Sequence, residues 1–206
     1  MKMIMFKNGR IYKLLPEEIK SIHYIYAKNG KEAIDKAYAR IKKEWGSSPD
    51  FLFNCELFNI ETREPQSSVV EKGKIHLLTD GHGISFVDNK KPVWSYMNNV
   101  KAPDYVGVYP TLVRNGIIQV NASPSGLEGS RGRTAIGVDR KNCLYIALVR
   151  DGYNDATLHE LAEGLTCAGA TNGGNLDGGG SSQWITPDDK HRTNRPVRGY
   201  IGIWLI

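Results

Sequence analysis

Asn172-Gly-Gly-Asn-Leu-Asp177-Gly-Gly-Gly-Ser-Ser-Gln183 is the most unusual stretch of this 206-residue chain. Glycine adopts backbone angles that other residues avoid, but consecutive glycines cost conformational entropy and bury no side chain. A folded protein keeps such a run where its backbone must approach a ligand closely. The run therefore predicts a binding site with the carboxyl group of Asp177 at its mouth. The expected anion-binding donors are Gly178, Gly179, Gly180, Ser181 and Ser182.

Two other interpretations fit this glycine run less well. A flexible linker would not be bracketed by the apolar residues Leu176 and Trp184, with ordered elements predicted on both sides. The patterns of nucleotide-binding loops are absent, because the run contains neither G-x-G-x-x-G after a strand nor the lysine of a P-loop.

The elements on either side of the run have clear signals. A helix is predicted over residues 157–167, with Thr157 as N-cap and Glu160 completing a capping box. The final stretch, 200–206, is hydrophobic on both faces, which predicts a central strand.

The preceding part of the chain is predicted to be rich in strands. Residues 3–15 indicate a hairpin that turns at Asn8-Gly9, and a helix follows with Asn29 as N-cap and Gly46 as stop signal. We expect an α+β protein with one mixed β-sheet system, a few helices and a single compact domain. Short apolar stretches bounded by turn residues predict strands at 51–53, 68–70, 75–78, 84–87, 105–108, 111–113, 117–120, 135–138 and 144–149.

Several stretches resemble, in the same order, the phosphodiester glycosidase domain family, whose type enzyme removes N-acetylglucosamine from a phosphodiester. The resemblance covers residues 51–206, so residues 1–50 are expected to form an N-terminal hairpin and helix addition. The specific match is Asn175-Leu-Asp-Gly-Gly-Gly-Ser-Ser182 with the helix before it. The other matches are Asn54 to Phe58, Pro110-Thr-Leu-Val-Arg-Asn-Gly116, Arg133-Thr-Ala-Ile-Gly-Val-Asp139 and Asn194-Arg-Pro-Val197 with the final strand.

The resemblance implies an active site built from these segments. Asp177 would stay ionised beside glycine N–H groups and arginines, and would act as nucleophile, base or stabiliser of an oxocarbenium ion. Arg133 and Arg195 would bind an anionic group of the substrate, bidentately if that group is a phosphate. Asn54 and Asn175 would bind sugar hydroxyls or orient a carboxylate.

The chain departs from the family directly after Asn54, where small residues are usual and Cys55 and Glu56 stand instead. Glycosidases generally use two carboxyl groups, one protonated and one ionised. If Glu56 points into the same cleft as Asp177, it is the natural general acid, with a pKa raised by partial burial. In the alternative interpretation, Glu56 lies at a strand edge and faces water.

Other polar residues offer weaker signals. His82 and His191 are candidates for acid–base chemistry, and the loop that carries His191 could be a lid, although isolated histidines are more often surface turn residues. Asp188 and Asp189 are a weak signal for a metal, so no cofactor is expected, while a structural divalent cation stays open. The cysteines at 55, 143 and 167 form no C-x-x-C pair, which favours buried free thiols over a disulfide or a zinc site.

Charge and terminal sequence suggest where the protein acts. The net charge of +5 and the pI of about 9.0 favour anionic partners, but no aromatic–basic module indicates nucleic acid. Neither a signal peptide nor a membrane span is visible. We expect synthesis in the cytoplasm, a carbohydrate or sugar-phosphate substrate, no integral membrane association and, in one scenario, action at the cell wall after release. The oligomeric state is not predicted.

Three classes of function are consistent with these patterns. The first is a hydrolase of the N-acetylglucosamine 1-phosphodiester glycosidase type that uses carboxylate acid–base chemistry, with a phage-type peptidoglycan glycosidase as its special case. The second is a module that binds a sugar or sugar nucleotide without catalysis. The third is a structural or assembly protein of a virion.

Overall fold

The computed structural model describes residues 1–7, 9–59, 61–62, 64–96, 102–121, 124, 126–152 and 155–206. The α-helices of this part are α1 (Ile34–Trp45) and α2 (Leu158–Ala168). The strands in chain order are β1 (Lys2–Phe6), β2 (Gly9–Leu14), β3 (Ile19–Tyr26), β4 (Phe51–Asn54), β5 (Val69–Glu71), β6 (Lys74–Leu77), β7 (His82–Val87), β8 (Lys91–Tyr96), β9 (Asp104–Gly107), β10 (Thr111–Arg114), β11 (Ile117–Ile118), β12 (Arg133–Val138), β13 (Leu144–Val149), β14 (Asn172–Asn175), β15 (Trp184–Ile185), β16 (Lys190–His191) and β17 (Gly199–Leu205).

These strands form three sheets. One has seven strands in the order β1-β2-β13-β12-β14-β10-β11, and the others have the orders β16-β15-β4-β17-β3 and β6-β5-β9-β7-β8. The α+β class and the single compact domain are confirmed. The expected single mixed sheet is corrected to three sheets, in which all pairings of the described strands are antiparallel. Strands joined by short turns pair in this way, whereas parallel pairs need long crossovers.

The core has two main layers around the seven-stranded sheet. Tyr145 and Ala147 of β13 face α2, whereas Ile146 and Leu148 face the two smaller sheets. Helix α1 covers the outer face of the sheet that contains β17. Alternate residues of β13 therefore serve two different cores, so the strand is apolar on both faces and lies deep in the protein.

The helix and the strand on either side of the glycine run are those that the sequence predicts. Helix α2 begins after Thr157, whose hydroxyl accepts a hydrogen bond from the Glu160 amide while the Glu160 carboxylate accepts one from the Thr157 amide, so the capping box is confirmed. Strand β17 lies between β4 and β3, as expected for a central strand.

Other boundaries differ from the prediction. Asn29 lies in a short 3-10 turn with φ of 58°, and the N-cap of α1 is Ala33, although Gly46 ends the helix as predicted. Asn8 of the predicted hairpin turn lies outside the described residues. The sequence prediction missed β3, β8, β15 and β16, and it assigned the residues of β14 to a loop.

The first 50 residues contribute to two sheets. Strand β2 pairs with β13, and β3 pairs with β17. In the part of the chain that the structure describes, no helix is long and apolar enough to cross a membrane.

Candidate active site

A cavity of about 530 Å³ opens at the end of β14, where the glycine run leaves the sheet. The described residues around it include carboxyl and guanidinium groups, four glycines, one side-chain amide and three apolar side chains. Its charged lining residues are Asp151, Asp177, Arg131, Arg133 and Arg195. Three of the five were predicted as site residues from the sequence.

The glycine run has two structural roles. Its first half is β14, which lies between β12 and β10 in the seven-stranded sheet. A Cβ atom on Gly174 would lie 2.2 Å from Cγ2 of Val108, so the close packing of the sheet requires glycine there. Only the second half, from Asp177 to Gly180, lines the cavity.

Asp177 is held in place through its backbone and its carboxyl group. Its amide donates to the carbonyl of Cys55 (3.1 Å), and its carbonyl accepts from Nδ2 of Asn54 (2.6 Å). The carboxylate accepts from the amide of Gly178 at 2.9 Å. Burial raises the pKa of Asp177 to about 6, although hydrogen bonds from Ser181 and Gly178 and the charge of Arg195 oppose the rise.

The backbone amides of the glycine loop are mostly used inside the protein. The amide of Gly178 donates to Asp177, and that of Gly179 donates to the carbonyl of Gly132 at 2.7 Å. The amides of Ser181 and Ser182 donate to the carbonyls of Gly178 and Gly179. The prediction that the loop amides bind an anion is therefore corrected for these four. They instead hold the loop and Asp177 in place.

The loop serines are buried rather than open to the cavity. Oγ of Ser181 contacts Nη1 of Arg195 at 3.4 Å, so this hydroxyl lies between the arginine and Asp177. Ser182 does not line the cavity, and its Oγ has no hydrogen-bond partner among the described residues. Neither serine is placed to bind substrate directly. Ser181 instead supports Arg195 and Asp177, which do line the cavity.

Arg133 is a buried cation at the cavity wall. Nε donates to the carbonyl of Ala156 (3.1 Å), and Nη2 donates to the carbonyls of Leu127 and Gly129 (both 2.9 Å). Burial lowers its pKa to about 10. The guanidinium forms no ion pair with a carboxylate of the described residues, so an anion in the cavity would supply the missing charge.

Arg195 and Arg131 bring two further guanidinium groups to the same cavity. A Cβ atom on Gly180 would lie 3.1 Å from Cζ of Arg195, so the third glycine of the loop makes room for this side chain. Arg131 is exposed, and its Nε donates to the carbonyl of Glu128. Neither arginine forms an ion pair within the described residues. Arg131 was not predicted from the sequence.

The two asparagines of the prediction lie behind the cavity. Asn54 is fully buried, with Oδ1 accepting from Thr134 (2.8 Å) and from the amide of Gln183 (3.1 Å). Nδ2 of Asn175, also fully buried, donates to the carbonyl of Tyr109 at 2.9 Å. The prediction that these two side chains bind sugar hydroxyls directly is therefore corrected for both. Asn54 instead orients Asp177 through its backbone.

Glu56 does not point into the cavity. Its side chain is 1% exposed; Tyr24 donates to Oε2 and Nε of Arg198 donates to Oε1 at 3.1 Å. Burial raises its pKa, and the two donors oppose the rise. Neither the predicted cleft position nor the water-facing alternative is correct, because this carboxylate belongs to a buried ion pair.

The predicted histidines pack against tryptophan side chains. His82 stacks on Trp94 with ring centroids 5.5 Å apart, and His191 lies 4.7 Å from the ring of Trp184. Neither lines the cavity that contains Asp177. Burial lowers the pKa of both. A direct acid–base role for them in this cavity is therefore corrected, whereas the lid role of the loop that carries His191 stays a prediction.

The adjacent acids of the weak metal signal are already paired. Asp189 accepts from Arg10, Arg150 and Nε1 of Trp184, and Asp188 accepts from the hydroxyl of Tyr12 at 2.7 Å. No cluster of metal-binding side chains occurs within the described ranges. The cysteines of this part are free thiols, two buried as predicted and Cys167 exposed.

Asp151 is the second carboxyl group of the cavity, and the sequence prediction missed it. Its Oδ1 accepts from the amide of Gly132 at 2.8 Å, and the carbonyl of Gly132 accepts from the amide of Gly179 at 2.7 Å. The peptide groups on either side of Gly132 therefore connect Asp151 with the loop of Asp177. The only sequence signal was a turn residue after an apolar strand.

The comparisons with known proteins assign the fold to a hydrolase family. The family model described as phosphodiester glycosidase matches residues 52–204, well over half of the chain. The chain therefore belongs to the phosphodiester glycosidase family. No curated protein sequence matches it.

Solved structures agree with this assignment at the level of the fold. The catalytic domain of zebrafish N-acetylglucosamine-1-phosphodiester alpha-N-acetylglucosaminidase, auto-inhibited by its pro-peptide, superposes with a TM-score of 0.73 at 17% identity, over 95% of this chain and 76% of the other. A hypothetical protein from Synechocystis gives a TM-score of 0.65 at 15% identity, over 100% of this chain and 61% of the other. These superpositions extend the likeness into the N-terminal segment that the family model does not match.

Proposed function

We propose that this protein hydrolyses the bond between C1 of N-acetylglucosamine and the phosphate of a phosphodiester. The observation that carries the proposal is one cavity that combines the carboxyl group of Asp177 with the guanidinium groups of Arg131, Arg133 and Arg195. The choice of sugar follows the name of the zebrafish structural neighbour.

The charges of the cavity suit a phosphate leaving group. Departure of an ordinary sugar alcohol needs a protonated carboxyl group beside it. A phosphate monoester has a second pKa of about 6, so it can leave near neutral pH without taking up a proton. Guanidinium groups can stabilise the charge that develops on its oxygens. A buried general acid such as the predicted Glu56 is not required.

The reaction balances with water as the only co-reactant. The bond from C1 to the phosphate oxygen breaks, and its electron pair stays on the phosphate. A bond forms from C1 to a water oxygen, and one water proton passes to Asp177 and then to solvent or phosphate. Whether water or the carboxylate of Asp177 attacks C1 first, Asp177 must be ionised.

Hydrolysis in ¹⁸O-labelled water tests this proposal. N-acetylglucosamine 1-(methyl phosphate) should release N-acetylglucosamine that carries the label, because the C1–O bond breaks. Label in the methyl phosphate would indicate P–O cleavage and a different hydrolase. Binding of the diester without turnover would indicate the sugar-binding module. Purified peptidoglycan, assayed in parallel, should remain uncleaved, because the three guanidinium groups among the described lining residues favour an anionic leaving group over a neutral sugar alcohol.

The pH dependence should report the ionisation of Asp177. Because burial raises its pKa to about 6, the carboxyl group is protonated below that pH and ionised above it. We expect kcat/KM to fall as the pH drops through about 6 and to be flat between 7 and 8. A rate that instead rises as the pH falls below 6 would assign Asp177 as the acid and contradict the role proposed above.

Removal of Arg195 should weaken catalysis on the anionic substrate. A hydrogen bond to a charged group contributes about 1.5–3 kcal/mol, so we expect Arg195→Ala to lower kcat/KM about 10- to 100-fold. Steady-state kinetics at low and high salt would measure the loss. Arg192→Ala is the matched control, because Arg192 is exposed and pairs with Asp35 outside the cavity. Equal effects of the two substitutions would rule out a specific phosphate contact.

A further inference from the structure

We infer that the cavity continues into an apolar subsite, so that the preferred substrate is a sugar phosphodiester whose alcohol part is an alkyl or aryl group. This inference rests on the proposed function, because it concerns the group on the far side of the phosphate. It adds a substrate class that the site chemistry at Asp177 does not define.

A second cavity of about 400 Å³ adjoins the first. Both are lined by Leu57, Gln66, Gly126 and Leu127, and the second adds Tyr109. None of its described lining residues is charged, whereas the first cavity has five charged ones. The two together form a groove that is ionic around Asp177 and mainly apolar at the four shared residues and Tyr109.

Arg133 and Asn175, two residues of the predicted site, form hydrogen bonds with the backbone of residues that line this apolar part. Nη2 of Arg133 donates to the carbonyl of Leu127 at 2.9 Å. Nδ2 of Asn175 donates to the carbonyl of Tyr109, also at 2.9 Å. A phosphate bound by Arg133 would therefore have Leu127 beside it. The alcohol oxygen of the ester is bonded to the phosphorus. The carbon chain that follows this oxygen would extend over Leu57 and Leu127 towards Tyr109.

The walls of this groove expose apolar side-chain surface to water. Leu57 and Leu127 are half-buried, and Tyr109 is 54% exposed although it is a large aromatic side chain. An apolar ligand would remove these surfaces from water, at about three- to fourfold in affinity for each methylene fully buried. A hydroxylated alcohol would find two polar side-chain groups, the amide of Gln66 and the hydroxyl of Tyr109, among the described lining residues of the second cavity.

A series of substrates tests the inference. N-acetylglucosamine 1-phosphodiesters of methanol, glycerol and hexanol are compared by kcat/KM, and the hexyl ester should exceed the other two by at least about tenfold, since an open groove buries part of each methylene. Equal rates for the three esters would overturn the inference and leave the proposed function intact. No turnover of any ester would count against the proposed function alone.

A binding experiment decides the inference without turnover. Titration calorimetry of the wild-type protein with hexyl phosphate and methyl phosphate should show at least about tenfold tighter binding of hexyl phosphate. The Leu57→Ser/Leu127→Ser variant should lose this preference, and Ile75→Ser, a control at an exposed apolar residue outside the groove, should keep it. Equal binding of the two phosphates, no binding of either, or a preference that survives the double substitution would overturn the inference.

Discussion

Asp177→Asn is expected to lower kcat by about 10³-fold or more and to stabilise the fold at pH 8. The first effect follows because asparagine cannot accept a proton or attack C1. The second follows because the native pKa of about 6 lies above the ordinary 3.8, so ionisation in the native state costs stability above pH 6. Removal of that charge should contribute on the order of 3 kcal/mol at pH 8 and less than about 1 kcal/mol near pH 4.

Denaturant unfolding at both pH values, combined with initial rates, measures these effects. Asp35→Asn is the matched control, because Asp35 is 54% exposed and remote from the cavity, and it should change neither quantity by much. An Asp177→Asn variant that retains a tenth of the wild-type rate would remove Asp177 from the chemistry. A variant that is destabilised at pH 8 would show that its loop depends on the charge.

Arg198→Met should produce the largest loss of stability. Arg198 donates to the buried carboxylate of Glu56, and removal of one partner of a buried ion pair costs about 3–5 kcal/mol. Burial already raises the pKa of Glu56, and loss of the guanidinium raises it further. Because a carboxyl group with a raised native pKa destabilises the fold when ionised, the loss should be greater at pH 8 than at pH 5.

The free energy of unfolding at these two pH values measures this prediction. Arg192→Met, which breaks an exposed ion pair, should change the free energy of unfolding far less than Arg198→Met does at either pH. Adding Glu56→Gln to Arg198→Met should remove most of the pH dependence. A loss that is the same at both pH values in the single variant would mean that the charge of Glu56 is not its cause.

The sequence predicted the secondary structure around the site better than the contacts of individual side chains. The capped helix before the run, the central last strand and the cavity positions of Asp177, Arg133 and Arg195 followed from local signals: a capping box, a two-sided apolar stretch and a family resemblance. The capping box and the apolar stretch reach only a few residues along the chain, and the family resemblance rests on a series of short motifs, so none of these signals requires knowledge of tertiary contacts.

The remaining parts depended on side-chain direction and on distant contacts. Asn54, Glu56 and Asn175 have the polarity of site residues, but the pleat and packing turn them away from the cavity towards buried partners. Asp151 and Arg131 carry no motif, and they reach the cavity only because their turns lie beside the loop of Asp177. The five strands that were not predicted include β14, whose two central glycines indicate a loop unless the crowding by Val108 is known.

The pairing of early with late strands has a consequence for folding. Strand β3 pairs with β17, so that Ile22 lies opposite Ile203, and β2 pairs with β13. Contacts between residues so far apart in the chain raise the contact order, which slows folding. During synthesis, β3 cannot form its strand pairing before β17 has left the ribosome. The glycine loop that carries Asp177 precedes β17, and it therefore acquires the support of this completed sheet only after β17 has been made.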